Sequence, residues 1–208
     1  MEDALCAGAA QPGLTLIETL GWDGARFGRL ELHLARLARS AGLLGWDCDL
    51  ARVAATLRGA VGAGAARVRL TLDAQGVIVV TVADMPPGKL VWHVGLAAVR
   101  LRSDDPWLAV KSSRRAIYDA ARVGLAEGLD EVVFANERGE LCDGSITTVF
   151  FDRGQGLRTP PLTCGLLPGV LRAEMAVPEE VLWVEDLGRV RLWIGNSLRG
   201  LAPAHWIG

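Results

Sequence analysis

The sequence predicts an α+β protein arranged as two α/β subdomains. Three observations carry that expectation: short alternating apolar runs that read as strands, helical apolar stripes placed between those runs, and a polar, proline-bearing break in mid-chain. The break is R-S-D-D-P-W at 102–107. It separates a smaller N-terminal subdomain over 1–101 from a larger one over 111–208, with residues 102–110 as the connection. A chain of 208 residues, half of them hydrophobic, can bury one substantial core or two closely packed ones, but not two large independent domains.

In order along the chain, Leu14 to Leu20 reads as a strand after a short polar lead. Arg26 to Leu30 reads as a second strand across the W-D-G turn at 22–24. Leu34, Leu37, Ala38, Ala41 and Leu44 fall on one helical face that stops at Gly45. From Asp49 to Val61, Leu50, Val53, Ala54, Leu57 and Val61 form a second stripe, ended by the glycines at 62 and 64. Arg67 to Leu72 and Val77 to Val82 alternate on either side of D-A-Q-G and predict a hairpin. After the loop D-M-P-P-G, a long strand is expected over Leu90 to Leu101.

Beyond the break the expected elements are a helix over Arg114 to Glu127 and a strand over Asp130 to Asn136. The E-R-G turn and strands near 140–143, 147–152 and 157–159 follow. A loop rich in glycine and proline leads to a helix from about Gly169, and Val181 to Val184 and Val190 to Gly195 are the last strands.

A formal net charge of −2 argues against a nucleic-acid binder, which needs a basic surface to neutralise phosphates. Cys6, Cys48, Cys142 and Cys164 form no C-x-x-C pair, and His33, His93 and His205 have no helical metal spacing, so no metal site is expected. The N-terminus has no basic stretch followed by an apolar run, and no apolar segment approaches the ~18 residues of a membrane span. A cytoplasmic protein with reduced thiols is the resulting expectation. Of the 22 basic residues only Lys89 and Lys111 are lysines, so chemistry requiring a side-chain amine has two candidates.

Lys111 follows the apolar W-L-A-V run and precedes S-S-R-R, which places it where an extended segment leaves the core. A lysine that loses water there titrates below its usual ~10.4 and becomes a nucleophile and base. The competing reading is a surface lysine with its tip in water. In G-L-L-P-G-V-L-R, at 165–172, proline and glycine open a helix whose free N–H groups, at Val170 and Leu171, suit an anion; an ordinary helix start is the alternative. Ser197 in G-N-S-L adds a hydroxyl, unless this is an ordinary turn ending a strand. His33 and Arg36 are three apart and share a helix face. An arginine facing inward seeks an anion, and its planar fork suits phosphate. The alternatives are a solvated arginine and, for His33, a hydrogen-bonded structural histidine.

Seven segments in one order resemble class IV aminotransferases: L-I-E-T-L (16–20), H-L-A-R-L-A-R-S-A (33–41), K-S-S-R-R (111–115), D-E-V-V-F-A-N-E-R-G (130–139), D-G-S-I-T-T-V-F (143–150), T-P-P-L-T-C-G-L-L-P-G-V-L-R (159–172) and N-S-L-R-G (196–200). The resemblance runs from about residue 14 to the end. It implies the D-amino-acid aminotransferase-like fold, pyridoxal-phosphate fold type IV, with pyridoxal 5′-phosphate as cofactor, and a homodimer.

By the same resemblance Lys111 forms the Schiff base to the cofactor, while Arg36, the backbone of Val170 and Leu171, and Ser197 hold its phosphate. Asp143 stands where the family usually has a glutamate facing the pyridine nitrogen. A carboxylate there keeps that nitrogen protonated, so the ring accepts electrons; Asp143 is read equally as a turn residue before Gly144. Thr148 replaces a common asparagine, and Gly21 an arginine that often clamps the substrate carboxylate. Thr19 and Arg102, with Arg100 as an alternative to the latter, are the substrate-side candidates; Tyr118, the only tyrosine, is left open between core and cleft.

N-S-L-R-G, T-P-P-L and the short chain resemble the lyase-like members, which implies an aminodeoxychorismate lyase giving 4-aminobenzoate and pyruvate. A transaminase for a branched-chain or D-amino acid is the second reading, and a protein that binds the cofactor without turnover is the third.

Overall fold

A computed structural model of the protein describes residues 2–208. Two compact units emerge, Met1–Pro87 with Ala109–Arg114, and Gly88–Leu108 with Arg115–Gly208. In the first unit, helix α1 (Glu2–Ala9) precedes strand β1 (Thr15–Trp22), helices α2 (Leu30–Leu44) and α3 (Leu50–Gly59), and the hairpin strands β2 (Ala66–Asp73) and β3 (Ile78–Ala83). The sheet is antiparallel in the order β1-β2-β3.

Local sequence sets this register. Ala66, Val68, Leu70 and Leu72 are buried while Arg67 and Arg69 are exposed, so a slip of one residue would bury two arginines. At the turn, Asp73 Oδ1 accepts the Gln75 and Val77 N–H groups at 2.9 and 2.8 Å. Helix α2 stops where Gly45 adopts the left-handed conformation, φ 68°. Asp49 caps α3 by accepting the Arg52 N–H at 3.0 Å. The second edge of β1 is occupied by the segment containing Lys111, joined by an antiparallel bridge between Leu16 and Ser112.

The second unit holds β4 (Trp92–Leu96), α4 (Ala116–Val123), β5 (Glu131–Ala135), β6 (Leu141–Gly144), β7 (Thr148–Asp152), α5 (Val170–Met175), β8 (Arg191–Asn196) and β9 (Gly200–Trp206). They form one sheet in the order β6-β5-β4-β9-β8-β7, with β4 parallel to both its neighbours. All five residues of β5 are buried, because both faces are covered. Val133 joins a core with Leu141, Phe151 and Ile194, while Val132 and Phe134 join another with Cys142 and Leu166, against which Ile117 and Tyr118 of α4 pack.

Several expectations are corrected. The strand over 26–30 shrinks to a bridge between Trp22 and Phe27, because Arg29 turns left-handed at φ 59° and starts α2. The long strand over 90–101 is only Trp92–Leu96, with a bridge from Leu101 to Asn136, and Leu90 is fully out in solvent. The helix over 114–127 spans Ala116–Val123 and stops at Gly124. Strands expected at 157–159 and 181–184 are isolated bridges. The boundary after residue 101 differs too: residues 88–108 belong with the second unit, and 109–114 return to the first.

Helix α1 and strand β9 were not foreseen. Pro203 sits in β9 between two partner strands, where proline argues against a strand because it donates no ladder hydrogen bond. Among the described residues no helix is long and apolar enough to cross a membrane. Cys48, Cys142 and Cys164 are free thiols; the side chain of Cys6 lies outside the described residues.

Candidate active site

In the first unit, β1 aligns Leu16, Glu18 and Leu20 on the same side, and all three are buried. The acid at an apolar position is explained by α2, whose buried stripe includes His33 and Arg36. Arg36 donates from Nε to Glu18 Oε1 at 2.9 Å and from Nη2 to Oε2 at 2.6 Å, and His33 Nδ1 lies 2.5 Å from Oε2. Burial alone would push the Glu18 carboxyl up; the Arg36 charge and the hydrogen bonds from His33 and Arg36 together hold it below its ordinary value. His33 is thus the hydrogen-bonded histidine its position suggested.

The expectation for Arg36 needs amendment. The anion filling its fork is the protein's own Glu18, and of the guanidinium nitrogens only Nη1 stays outside that pair. Glu18 was missed by sequence reasoning, although an acid in phase with Leu16 and Leu20 is a readable signal.

Lys111 is fixed along the other edge of β1. Its carbonyl accepts the Ile17 N–H at 2.8 Å, and two residues on, Ser113 donates its N–H to Thr15 O at 2.8 Å. This backbone pairing fixes Lys111, a half-buried residue, beside the residue preceding Glu18. Thr19, also half-buried, follows Glu18 on the strand.

The second unit gathers the remaining candidates. Asp143, buried near the end of β6, accepts the Leu167 N–H at 3.1 Å through Oδ2, which ties it to the loop before α5. Gly169 starts α5 so close to β7 that a Cβ there would meet Thr148 Oγ1 at 2.5 Å; a Cβ on Gly195 would meet Leu171 Cδ2 at 2.7 Å. These approaches bring the Val170–Leu171 helix start against the end of β8, which leads to Ser197. The N-cap of α5 is Gly169, which brings no side chain of its own to the helix start.

Asn196 shapes the Ser197 turn. Its side-chain oxygen accepts the Leu198 and Arg199 N–H groups, both at 3.0 Å, while Nδ2 donates to the Ile146 carbonyl at 3.0 Å. Tyr118 is a core residue, its ring edge-on to Phe134 at 5.0 Å; burial, then the nearby Asp143, pushes its phenol well up. Burial and Asp143 likewise push up the Cys142 thiol, and burial raises that of Cys164 to about 12, so neither supplies a thiolate at neutral pH.

Arg102 forms an ion pair with Asp104 at the surface. Its side chain, 77% exposed, lends Nε and Nη2 to Asp104 at 3.1 and 2.9 Å. Glu131 and Asn196 were also missed, because an acid opening a strand and an asparagine ending one look like ordinary boundary residues.

The first unit therefore supplies a lysine and a buried arginine with one nitrogen outside its pair with Glu18, and the second supplies a buried carboxylate and a helix start packed against the strand that leads to Ser197. A family model described as amino-transferase class IV matches residues 15–207. The chain belongs to the class IV aminotransferase family.

This class IV aminotransferase resembles a Mesorhizobium loti protein, provisionally described as an amino-acid aminotransferase, with 44% identity and a TM-score of 0.89 over 93% of this chain and 100% of that one. The 4-amino-4-deoxychorismate lyase of Pseudomonas aeruginosa shares the fold at 21% identity and TM-score 0.80, over 92% and 82% of the two chains. The Escherichia coli branched-chain aminotransferase does so at 18% and 0.75, over 95% and 78%. No curated protein matches the chain. The fold is pyridoxal-phosphate fold type IV, and the family comprises enzymes dependent on pyridoxal 5′-phosphate. The donors present in each unit are of the chemical types that such a cofactor calls for: an amine and a guanidinium in the first, and helix N–H groups, a hydroxyl and a carboxylate in the second.

Proposed function

We propose that this class IV enzyme is a 4-amino-4-deoxychorismate lyase, splitting its substrate into 4-aminobenzoate and pyruvate. The observation that carries the reading is the N-S-L-R turn after β8, the segment resembling lyase-like members, which Asn196 builds through both ends of its amide. Lys111 binds the cofactor covalently. Arg36, the N–H groups of Val170 and Leu171 and the Ser197 hydroxyl would hold the phosphate, and Asp143 would serve the ring nitrogen. Bound pyridoxal phosphate supplies an electron sink for the substrate's bond breaking. With the cofactor bound, the Lys111 amine would be the base that takes the proton from the amine-bearing carbon and returns one to the departing three-carbon unit. Thr19 contacts the substrate. A cytoplasmic homodimer goes with this reading.

Purified enzyme supplied with 4-amino-4-deoxychorismate should release equal amounts of 4-aminobenzoate and pyruvate; absence of both removes the lyase reading. Lys111→Ala should lose the visible colour of bound cofactor and about a thousandfold or more of the turnover. Lys89→Ala should change neither, since Lys89 is half-exposed and paired with Asp130.

The 44%-identical relative described as an aminotransferase favours a second reading, transamination of a branched-chain or D-amino acid. Single amino acids that convert the cofactor to its amine form would select it. Binding of the cofactor with no turnover on any amine would select the third reading, a cofactor-binding protein.

A further inference from the structure

Glu131 opens β5 and is completely buried, yet no role in the proposed chemistry falls to it. Its Oε1 accepts the N–H groups of Val132 and Ser145 at 3.0 and 3.2 Å and the Ser145 hydroxyl, and Arg122 Nη1 lies 3.5 Å away. Its Oε2 accepts the Ile146 N–H at 3.2 Å and the Thr147 hydroxyl at 3.1 Å. The carboxylate therefore grips three consecutive residues, 145–147, immediately after Asp143-Gly144.

The contact is tight enough to dictate sequence. A Cβ on Gly144 would lie 3.2 Å from both Cδ and Oε2 of Glu131 and would overlap Thr147 Oγ1 outright, so only glycine fits between Asp143 and the gripped residues. The same loop supports a second element, because the Ile146 carbonyl receives the Asn196 amide whose oxygen shapes the turn carrying Ser197. Arg115 Nη2, from the N-cap of α4, holds the Ser145 carbonyl at 3.2 Å, and Arg122 Nη1, from within the helix, the Ser145 hydroxyl at 3.1 Å. One loop thus mounts Asp143 on one side and the Ser197 turn on the other, and Glu131 is the acid at its centre.

We infer that Glu131 is a positioning residue that fixes Asp143 and Ser197 together, so that one buried carboxylate sets both the hold on the cofactor ring and the hold on its phosphate. The inference rests on the cofactor-binding roles given above to Asp143 and Ser197. It separates Glu131 from a residue that merely stabilises the fold, because loosening its grip must alter two distinct properties at once.

The variant that tests it is Glu131→Gln, which keeps the shape but replaces one acceptor with a donor facing other donors. Pyridoxal phosphate affinity is read by tryptophan fluorescence, the Asp143 contact by the pH midpoint of the visible absorption of lysine-bound cofactor, and loop order by hydrogen exchange of the 145–147 and 198–199 amides without cofactor. The expected result is affinity weakened roughly tenfold, a displaced absorption midpoint and faster exchange in both segments. Ser197→Ala should change affinity alone and Asp143→Asn the midpoint alone. In the Asp143→Asn background, Glu131→Gln should shift the midpoint no further.

Wild-type affinity and midpoint in a folded Glu131→Gln protein overturn the inference, as does a midpoint shift that simply adds to that of Asp143→Asn. Should Glu131→Gln not fold, Thr147→Val removes one donor and must show the paired changes at smaller amplitude; their absence is equally fatal. A wild-type protein that binds no pyridoxal phosphate brings down the functional reading itself, an outcome distinct from either.

Discussion

Each unit buries a carboxylate completely, yet the two are satisfied in opposite ways. Glu18 is met by side chains, the Arg36 fork and the His33 ring. Glu131 is met chiefly by backbone N–H groups and hydroxyls of one loop, with Arg122 at the rim. A pair made of side chains can be exchanged as a set for apolar residues, because every polar atom leaves together. A carboxylate seated on backbone cannot, since the N–H groups remain whatever replaces it. The first arrangement fixes a cation, and the second fixes a loop.

The largest expected effect tests the backbone-seated acid. Glu131→Leu strips acceptors from buried N–H groups at about 1–3 kcal/mol each, so a loss of about 4 kcal/mol in denaturant unfolding is expected. Removing the hydroxyls as well, with Ser145→Ala and Thr147→Val, should recover little. Arg36→Met comes next: it leaves Glu18 buried with His33 alone and should lose about 3–5 kcal/mol. There the triple variant Glu18→Leu with His33→Leu and Arg36→Met, which removes the whole set, should return most of that stability. If the Glu131 variant is rescued as fully as the Arg36 variant, the distinction between the two acids fails.

The same contrast decides what was legible in the sequence. Motif order pointed to the family, and apolar periodicity placed β1, α2, α3 and the β2–β3 hairpin close to their observed bounds, most plainly in β2, where every second residue is buried. His33 and Arg36 were correctly put on one helix face. Their partner Glu18 was not identified, since a strand's periodicity says which side a residue faces but not which helix covers it. Strand β9 was hidden by Pro203, and the length of β4 was overestimated because Leu90 and Val99 look like core residues but are exposed. Glu131 was invisible for a further reason: its partners are mostly main-chain atoms, which every residue possesses.

Acid titration should sharpen the comparison with a smaller effect. The Glu18 carboxyl sits below its ordinary 4.5 in the folded protein, so its contribution is fully present above the unfolded value. That contribution is lost as pH falls from about there through the lower folded value. Unfolding followed by circular dichroism at several pH values below 5 should show a shallower acid limb for Glu18→Gln than for wild type. An identical limb would mean that the Arg36 charge does not set this carboxyl's titration.

The smallest expected effect concerns how firmly the second unit keeps ionisation out. Tyr118 is the only tyrosine, so alkaline absorbance reports on it alone. Burial and the nearby Asp143 push its phenol far up, and a group raised in the folded state contributes stability below its unfolded value of about 10. That contribution declines as pH rises above it, so tyrosinate should appear only together with unfolding. Ionisation near pH 10 in a protein that stays folded would show that water reaches the phenol, and with it the face of β5 on which Phe134 and Tyr118 stack.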